Sequence, residues 1–145
     1  MKIGDIMTTE IKSIKPDISV KEAAIILFNS QISGLPVVDK DNKLIGNFTE
    51  KDILRYILPS YVVSVGKFIY EDDSKAITKK VENLANLKVS DIMSKEIITI
   101  SADISLSEAA RIMLTKAKRR LCVVEKNGRL IGIVARCDVL KALMK

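Results

Sequence analysis

The sequence predicts an α/β (α+β) protein made of two β-α-β-β-α repeats with a helical insertion between them. The strongest evidence is a duplication: at an offset of 86 positions (91 − 5), Asp5–Leu58 aligns with Asp91–Met144 without a gap, and 22 of the 54 aligned residues are identical. The same helix caps and turn residues recur in both copies. A repeat of this length is too long for a solenoid unit and short for a separate domain. We therefore expect one pseudo-symmetric body with a ligand-sized cleft where the copies meet.

The first repeat, residues 1–58, shows the signals for its elements in order. Ser19 and Glu22 form a capping box, which predicts the start of an amphipathic helix. Asp41-Asn42 supplies the turn between two strands. The predicted elements are a strand, the helix after Ser19, two strands and a second helix: Glu10–Ile14, the Ser19 helix, Leu35–Val38, Leu44–Phe48 and Glu50–Leu58.

The second repeat, residues 90–145, predicts the same order. Ser105 and Glu108 form its capping box, and Asn127-Gly128 supplies its turn. The predicted elements are Ile97–Ile100, the helix after Ser105, Leu121–Val124, Leu130–Val134 and Arg136–Met144.

The insertion, residues 59–89, is too apolar for a free linker. Four of the six aromatic residues fall within residues 56–70, and Asp72-Asp73-Ser74 is typical of a helix start. That helix would present Ile77, Val81 and Leu84 on one face. Two interpretations stay open: the insertion packs on the body or on another subunit, or its aromatic side chains cover an exposed edge of the core.

Composition narrows the function classes. The chain is 48% hydrophobic and 29% charged, and no apolar run reaches the roughly 18 residues of a membrane helix. The N-terminus lacks the apolar region of a signal peptide, so we predict a cytoplasmic protein that does not enter a membrane. The chain contains no histidine, which argues against most general-base and zinc chemistry. We expect no enzyme, no catalytic residues and no metal site, and we interpret Cys122 and Cys137 as buried, reduced thiols.

Charge is distributed unevenly between the copies. The net charge is +6, of which +5 (11 basic and 6 acidic residues) lies in residues 90–145. Much of this excess is in Lys116, Lys118, Arg119 and Arg120. The cluster either faces an anion or is a solvated helix end whose cations complement the helix dipole.

Four motifs carry a family resemblance over nearly the whole chain. They are DIM at Asp5–Met7 and Asp91–Met93, the PDISVKEA segment at Pro16–Ala23, GLPVVD at Gly34–Asp39 and G-x-x-T-x-x-D at Gly46–Asp52. In order and spacing, the chain resembles a tandem cystathionine-β-synthase-type (CBS) domain pair, also called a Bateman module. The resemblance implies repeats packed through their sheets, a homodimer, and a cleft for AMP, ADP, ATP or S-adenosylmethionine as regulatory ligand, with no prosthetic group.

The strand–helix junction at Gly46–Asp52 is the leading candidate site. Thr49 and Asp52 have a purely structural explanation as helix N-cap and first-turn acid. A helix N-terminus also binds anions, a threonine hydroxyl can donate to phosphate, and a carboxylate can accept from ribose hydroxyls. The resemblance implies these ligand roles for Thr49 and Asp52. It also implies that they face residues of the second repeat: Ile98 and Ile100 at the adenine, and Lys118, Arg119 and Arg120 at the phosphates.

The second copy of the motif departs from the pattern. Gly132 and Asp138 are kept, but Ala135 replaces the threonine and cannot contact phosphate. We therefore expect one good site and a weaker second cleft, whose candidate residues are Asp138, Arg136, Ile11, Ser13, Ser33 and Gly34.

The predicted function is a non-catalytic regulatory module that binds an adenosine-containing ligand and signals to an unidentified effector protein. Two alternatives stay open. One is a nucleic-acid-binding protein that uses the basic second repeat, which we do not favour because aromatic residues do not interleave with the charges. The other is a ligand-free adaptor that dimerises through its helices and the Tyr56–Tyr70 region.

Overall fold

The computed structural model describes residues 1–58 and 71–145, with side chains in the second range from residue 74 onward. The predicted mixed α/β fold is confirmed. After a 3-10 turn at Ile3–Asp5, the elements in chain order are α1 (Val20–Asn29), β1 (Gly34–Val38), β2 (Leu44–Thr49), α2 (Glu50–Ile57), α3 (Glu71–Asn83), α4 (Val89–Ile92), β3 (Thr99–Ile100), α5 (Leu106–Thr115), β4 (Arg120–Val124), β5 (Leu130–Ala135) and α6 (Arg136–Leu143). The predicted aromatic segment with Tyr61, Phe68 and Tyr70 lies outside the described residues.

The predicted helix caps are confirmed. Ser19 Oγ accepts a hydrogen bond from the Glu22 N–H at 3.0 Å, and Ser105 Oγ accepts one from the Glu108 N–H at 3.1 Å. These bonds satisfy N–H groups that the first turn of a helix leaves without a partner. Both helices also end alike, because Gln31 and Ala117 adopt left-handed φ angles of 54° and 52° just beyond α1 and α5.

The strands form one sheet of order β1-β2 and one of order β3-β4-β5. In the second sheet β3 runs parallel to β4, with Thr99 opposite Cys122. The strand predicted at Glu10–Ile14 is reduced to a single parallel bridge between Ile14 and Val37. Extending that ladder toward Glu10 would require an N–H at residue 36, and Pro36 has none. The equivalent residue in the second copy is Cys122, which has this N–H, and there β3 forms.

The chain folds into two compact units that do not coincide with the repeats. One unit comprises Met1–Ser13, Val38–Ile45 and Glu96–Lys145, and the other comprises Ile14–Val37 and Gly46–Lys95. We call them the C-terminal unit and the N-terminal unit. Each unit therefore contains a segment that belongs, by sequence, to the opposite repeat.

The exchanged segments are the two DIM segments. In the C-terminal unit Thr8 and Ile133 exchange backbone hydrogen bonds of 2.8 and 2.9 Å. In the N-terminal unit the equivalent residues, Ser94 and Asn47, exchange two bonds of 2.9 Å. Each DIM segment thus adds to the strand that leads into the other repeat's last helix.

Packing fixes the exchanged segments in place. Ile3 is fully buried in the core of the C-terminal unit, which also includes Leu106, Met113, Leu121 and Val134. In the N-terminal unit Val89 is fully buried, as are Val20, Leu35 and Phe48. Burial of one such aliphatic side chain contributes about 1.5–3 kcal/mol. The exchange is therefore part of both cores.

The turns of the two repeats meet in the C-terminal unit. The Leu44 N–H donates to the Gly128 carbonyl oxygen and the Leu130 N–H donates to that of Asn42, both at 3.0 Å. These bonds are equivalent under the 86-residue offset, so the duplication appears here as a local twofold pattern.

The helix predicted after Asp72 is α3. Of its predicted apolar face, Ile77 and the following Leu84 are half-buried, while Val81 is 47% exposed. Helix α3 is held at its C-terminal end, where the Asn83 Nδ2 group donates to the Tyr56 hydroxyl at 2.7 Å and the Lys80 Nζ lies 4.5 Å from the Tyr56 ring centroid. The insertion helix therefore packs on α2.

Candidate functional site

The junction of β2 and α2 brings Thr49 and Asp52 together. Thr49 is the last residue of β2 and the N-cap of α2, in extended conformation. The Asp52 Oδ2 atom accepts two hydrogen bonds from Thr49, one from its N–H at 2.9 Å and one from its hydroxyl at 3.2 Å. Thr49 is therefore the N-cap of α2, and Asp52 caps its N–H group, as the structural explanation of the pair predicts.

Asp52 is the one charged residue that is buried among residues 1–58 and 74–145, with 5% of its surface exposed. Its second oxygen, Oδ1, lies 3.6 Å from the Arg55 Nη1, and the Arg55 side chain is 68% exposed. A carboxylate offers about four acceptor positions, so two bonds at Oδ2 leave capacity for hydroxyl donors. Sequence reasoning missed Arg55, although its place one helical turn after Asp52 signals such a pair.

The junction of β5 and α6 repeats this geometry with fewer polar groups. Asp138 Oδ2 accepts a hydrogen bond from the Ala135 N–H at 3.1 Å, and Asp138 is half-buried. Ala135 supplies no hydroxyl. Lys141 stands where the first copy has Arg55, but within the described residues it does not pair with Asp138 as Arg55 pairs with Asp52.

The basic pair Arg119 and Arg120 lies beside the start of α6, in its own repeat. Arg120 is opposite Ala135 in the antiparallel β4–β5 ladder, and the Arg136 N–H donates to the Arg119 carbonyl oxygen at 2.9 Å. Lys118 and Arg119 are exposed and Arg120 is half-buried. The predicted grouping of these residues with Thr49 and Asp52 stays a prediction.

Gly34 has the corresponding place in the first repeat. A Cβ atom on Gly34 would lie 3.0 Å from the Thr49 Cγ2, so the segment that contains Ser33 and Gly34 runs beside the start of α2. In both repeats, then, the residue that begins the first strand of the hairpin lies next to the helix start of the same repeat.

Gly46 has a packing role that the motif did not reveal. A Cβ atom at Gly46 would lie 2.6 Å from the Met93 Sδ and 3.0 Å from the Ser94 carbonyl oxygen. At Gly132 it would collide with the Met7 thioether. The motif glycines admit the methionines of the exchanged DIM segments. The sequence signal for this packing was that Met7 and Met93, like Gly46 and Gly132, recur at the 86-residue offset of the repeats.

The remaining predicted residues lie in the C-terminal unit. Ile100 is 5% exposed and belongs to the core, and the half-buried Ile98 packs against it. Their side chains are therefore occupied in packing, and the adenine contact of their backbone stays a prediction. Ile11 and Ser13, predicted for the weaker cleft, are half-buried.

The two thiols have different environments. Burial raises the pKa of the Cys122 thiol to about 11, with Arg120 opposing that shift. Cys137 is exposed, and the prediction of a buried thiol there is wrong. Cys137 is the second residue of α6, and the apolar contacts of this first turn are made by Val139 instead.

The fold and the paired junctions define a protein of two tandem repeats with exchanged segments, and the comparison with known families agrees. The CBS-domain model matches residues 3–59 and 89–145. The chain therefore belongs to the CBS-domain family and carries two CBS domains.

Three known proteins illustrate the similarity. The chain is 31% identical to the inosine-5'-monophosphate dehydrogenase of Methanocaldococcus jannaschii over 97% of its length but spans only 23% of that enzyme. Its fold matches the crystal structure of CBSX2 of Arabidopsis thaliana in complex with AMP (29% identity, TM-score 0.74, 99% of this chain and 96% of that one). It also matches the CBS domain pair of protein MJ0100 in complex with 5'-methylthioadenosine and S-adenosyl-L-methionine (26%, 0.67, 99% and 96%).

In the described part of the chain, no helix is both long and apolar enough to cross a bilayer. The cytoplasmic location stays a prediction.

Proposed function

We propose that this chain is a non-catalytic regulatory module that binds one adenosine-containing ligand, AMP, ADP, ATP or S-adenosylmethionine, with Thr49 and Asp52. The observation that carries the proposal is the junction itself. A buried carboxylate is fixed by Thr49 at one oxygen and keeps acceptor capacity at the other. Two structurally similar CBS pairs are complexes with adenosine compounds, which supports this ligand class.

Each half of the ligand has a chemical counterpart at the junction. The N–H groups of the first α2 turn suit a phosphate or another polar 5' group. The Thr49 hydroxyl joins them when its donor turns from Asp52 Oδ2 to the ligand. Asp52 Oδ1 suits the ribose hydroxyls, because a carboxylate only accepts hydrogen bonds. The family resemblance adds the backbone of Ile98 and Ile100 at the adenine and Lys118, Arg119 and Arg120 at the phosphates, where guanidinium groups bind bidentately.

The regulatory part of the proposal requires a partner. A ligand shifts a conformational equilibrium only by its difference in affinity for the two states. We propose that the chain acts as a homodimer and that a separate effector protein senses the shift.

Isothermal titration with the four ligands tests the proposal. Thr49→Ala and Asp52→Asn are each expected to weaken binding by about tenfold or more, since each removes a hydrogen-bonding group that faces a charged or polar ligand atom. Asp138→Asn is the matched control, because it alters the equivalent cap in the copy that lacks the threonine. Absence of heat with all four ligands, in protein shown to be ligand-free by mass spectrometry, would refute the function.

A further inference from the structure

We propose that Arg55 is a positioning residue that orients the Asp52 carboxylate for the ribose hydroxyls of the ligand. The inference rests on the proposed function, because it assigns Arg55 a role at the same site. It concerns a residue outside the G-x-x-T-x-x-D motif.

The two oxygens of Asp52 have different partners. Thr49 supplies two hydrogen bonds to Oδ2, at 2.9 and 3.2 Å. Within the described residues, the ion pair of Asp52 is at Oδ1, where the Arg55 Nη1 lies at 3.6 Å. Thr49 therefore anchors one side of the carboxylate and Arg55 attracts the other, which restricts rotation of the group about its terminal torsion.

The length of the Arg55 contact suits a positioning role. An N–H···O hydrogen bond has a donor–acceptor distance of about 2.7–3.2 Å. At 3.6 Å the guanidinium attracts Oδ1 by charge but does not occupy one of its lone pairs. Oδ1 is thus oriented and still able to accept a hydroxyl.

Exposure separates this role from a structural one. The Arg55 side chain is 68% exposed, and exposed ion pairs contribute little to the free energy of unfolding. Loss of Arg55 should therefore leave folding nearly unchanged while it changes ligand affinity.

The second repeat lacks the arrangement. Lys141 occupies the equivalent position, and it is not paired with Asp138 within the described residues. Lysine is a compact, strongly hydrated charge on a flexible stem, whereas arginine presents a planar group of fixed geometry. The positioned carboxylate is therefore a property of the first copy, which is also the copy with the threonine.

The test compares AMP with 2',3'-dideoxy-AMP, which lacks both ribose hydroxyls. By titration calorimetry, Arg55→Met should weaken AMP binding by about fivefold, the upper range for an exposed ion pair. It should leave dideoxy-AMP binding unchanged, and in an Asp52→Asn background it should have no further effect on AMP. Arg55→Lys should restore part of the loss, and Lys141→Met should change nothing.

Three results would overturn the inference. Unchanged or tighter AMP binding by Arg55→Met would show that Arg55 is inert or competes with the ligand for Asp52. An equal loss for AMP and dideoxy-AMP would show that Arg55 acts on the ligand's phosphate or on folding, and the melting temperature would distinguish these two. No AMP binding by the unmodified protein, with its melting temperature intact, would refute the proposed AMP site and this role together.

Discussion

The two strand–helix junctions share their backbone geometry and differ in their chemistry. Thr49 and Ala135 are both extended N-caps, and each N–H donates to an aspartate three residues later, at 2.9 and 3.1 Å. The first junction adds a hydroxyl and an ion pair with Arg55. What the copies share is therefore sufficient to start a helix, and what they do not share is the better guide to ligand binding.

The same contrast extends to the other end of the helix. In the first copy Tyr56 contacts Asn83 and Lys80 of the insertion helix α3. Its equivalent in the second copy is Ala142. The helix with the candidate site is thus also the one on which the insertion packs.

The largest expected difference between the copies concerns the motif glycines. Gly46→Ala should destabilise the protein by about 1–3 kcal/mol, because the new Cβ would press against the Ser94 carbonyl oxygen at 3.0 Å as well as against Met93. Gly132→Ala should cost less, since its two nearest neighbours are the Met7 Sδ and Cγ atoms, which move when Met7 changes rotamer. Urea denaturation measures both changes.

Second-site variants check this interpretation. Met7→Ala should remove most of the penalty of Gly132→Ala, whereas Met93→Ala should remove only part of that of Gly46→Ala. If the two methionine variants rescued stability equally, the loss of stability in Gly46→Ala would not come from contact with the Ser94 carbonyl oxygen.

A medium effect is expected from restoring the threonine to the second copy. Ala135→Thr should stabilise the protein by about 0.5–1 kcal/mol, because the hydroxyl can donate to Asp138 as Thr49 does to Asp52. Thermal unfolding followed by circular dichroism measures the gain. The reverse change, Thr49→Ala, is the matched control and should lower the stability by a similar amount. A gain for Ala135→Thr without a loss for Thr49→Ala would show that the two junctions are not equivalent.

The smallest difference between the copies is expected where their backbone conformations agree. Gln31→Gly and Ala117→Gly should each stabilise the protein by about 0.5–1 kcal/mol, since glycine adopts their left-handed φ angles of 54° and 52° without steric cost. The two gains should match within a few tenths of a kcal/mol. Ala117→Val, which should destabilise, provides the control, and a stabilising effect of valine would remove the backbone explanation.

Local signals predicted most of the fold. Ser19 and Ser105 marked helix starts because a hydroxyl cap satisfies N–H groups within one turn, and the hairpin strands were predicted to within one residue at each end. The prediction of a strand at Glu10–Ile14 was wrong because its pairing depends on an N–H group at a residue distant in sequence, and that residue is Pro36. Thr49 and Asp52 were recognisable as a pair, but the roles of Arg55 and Gly46 depend on side-chain contacts that motif spacing does not encode.

The exchange of the DIM segments has a consequence for synthesis on the ribosome. The N-terminal unit is complete once Lys95 has been translated, whereas the C-terminal unit needs residues 96–145 as well. Ile3, which ends fully buried, has no core to enter until Leu106 and Leu121 emerge. Residues 1–13 are therefore synthesised well before the core that they enter, and they are among the last to reach their native place.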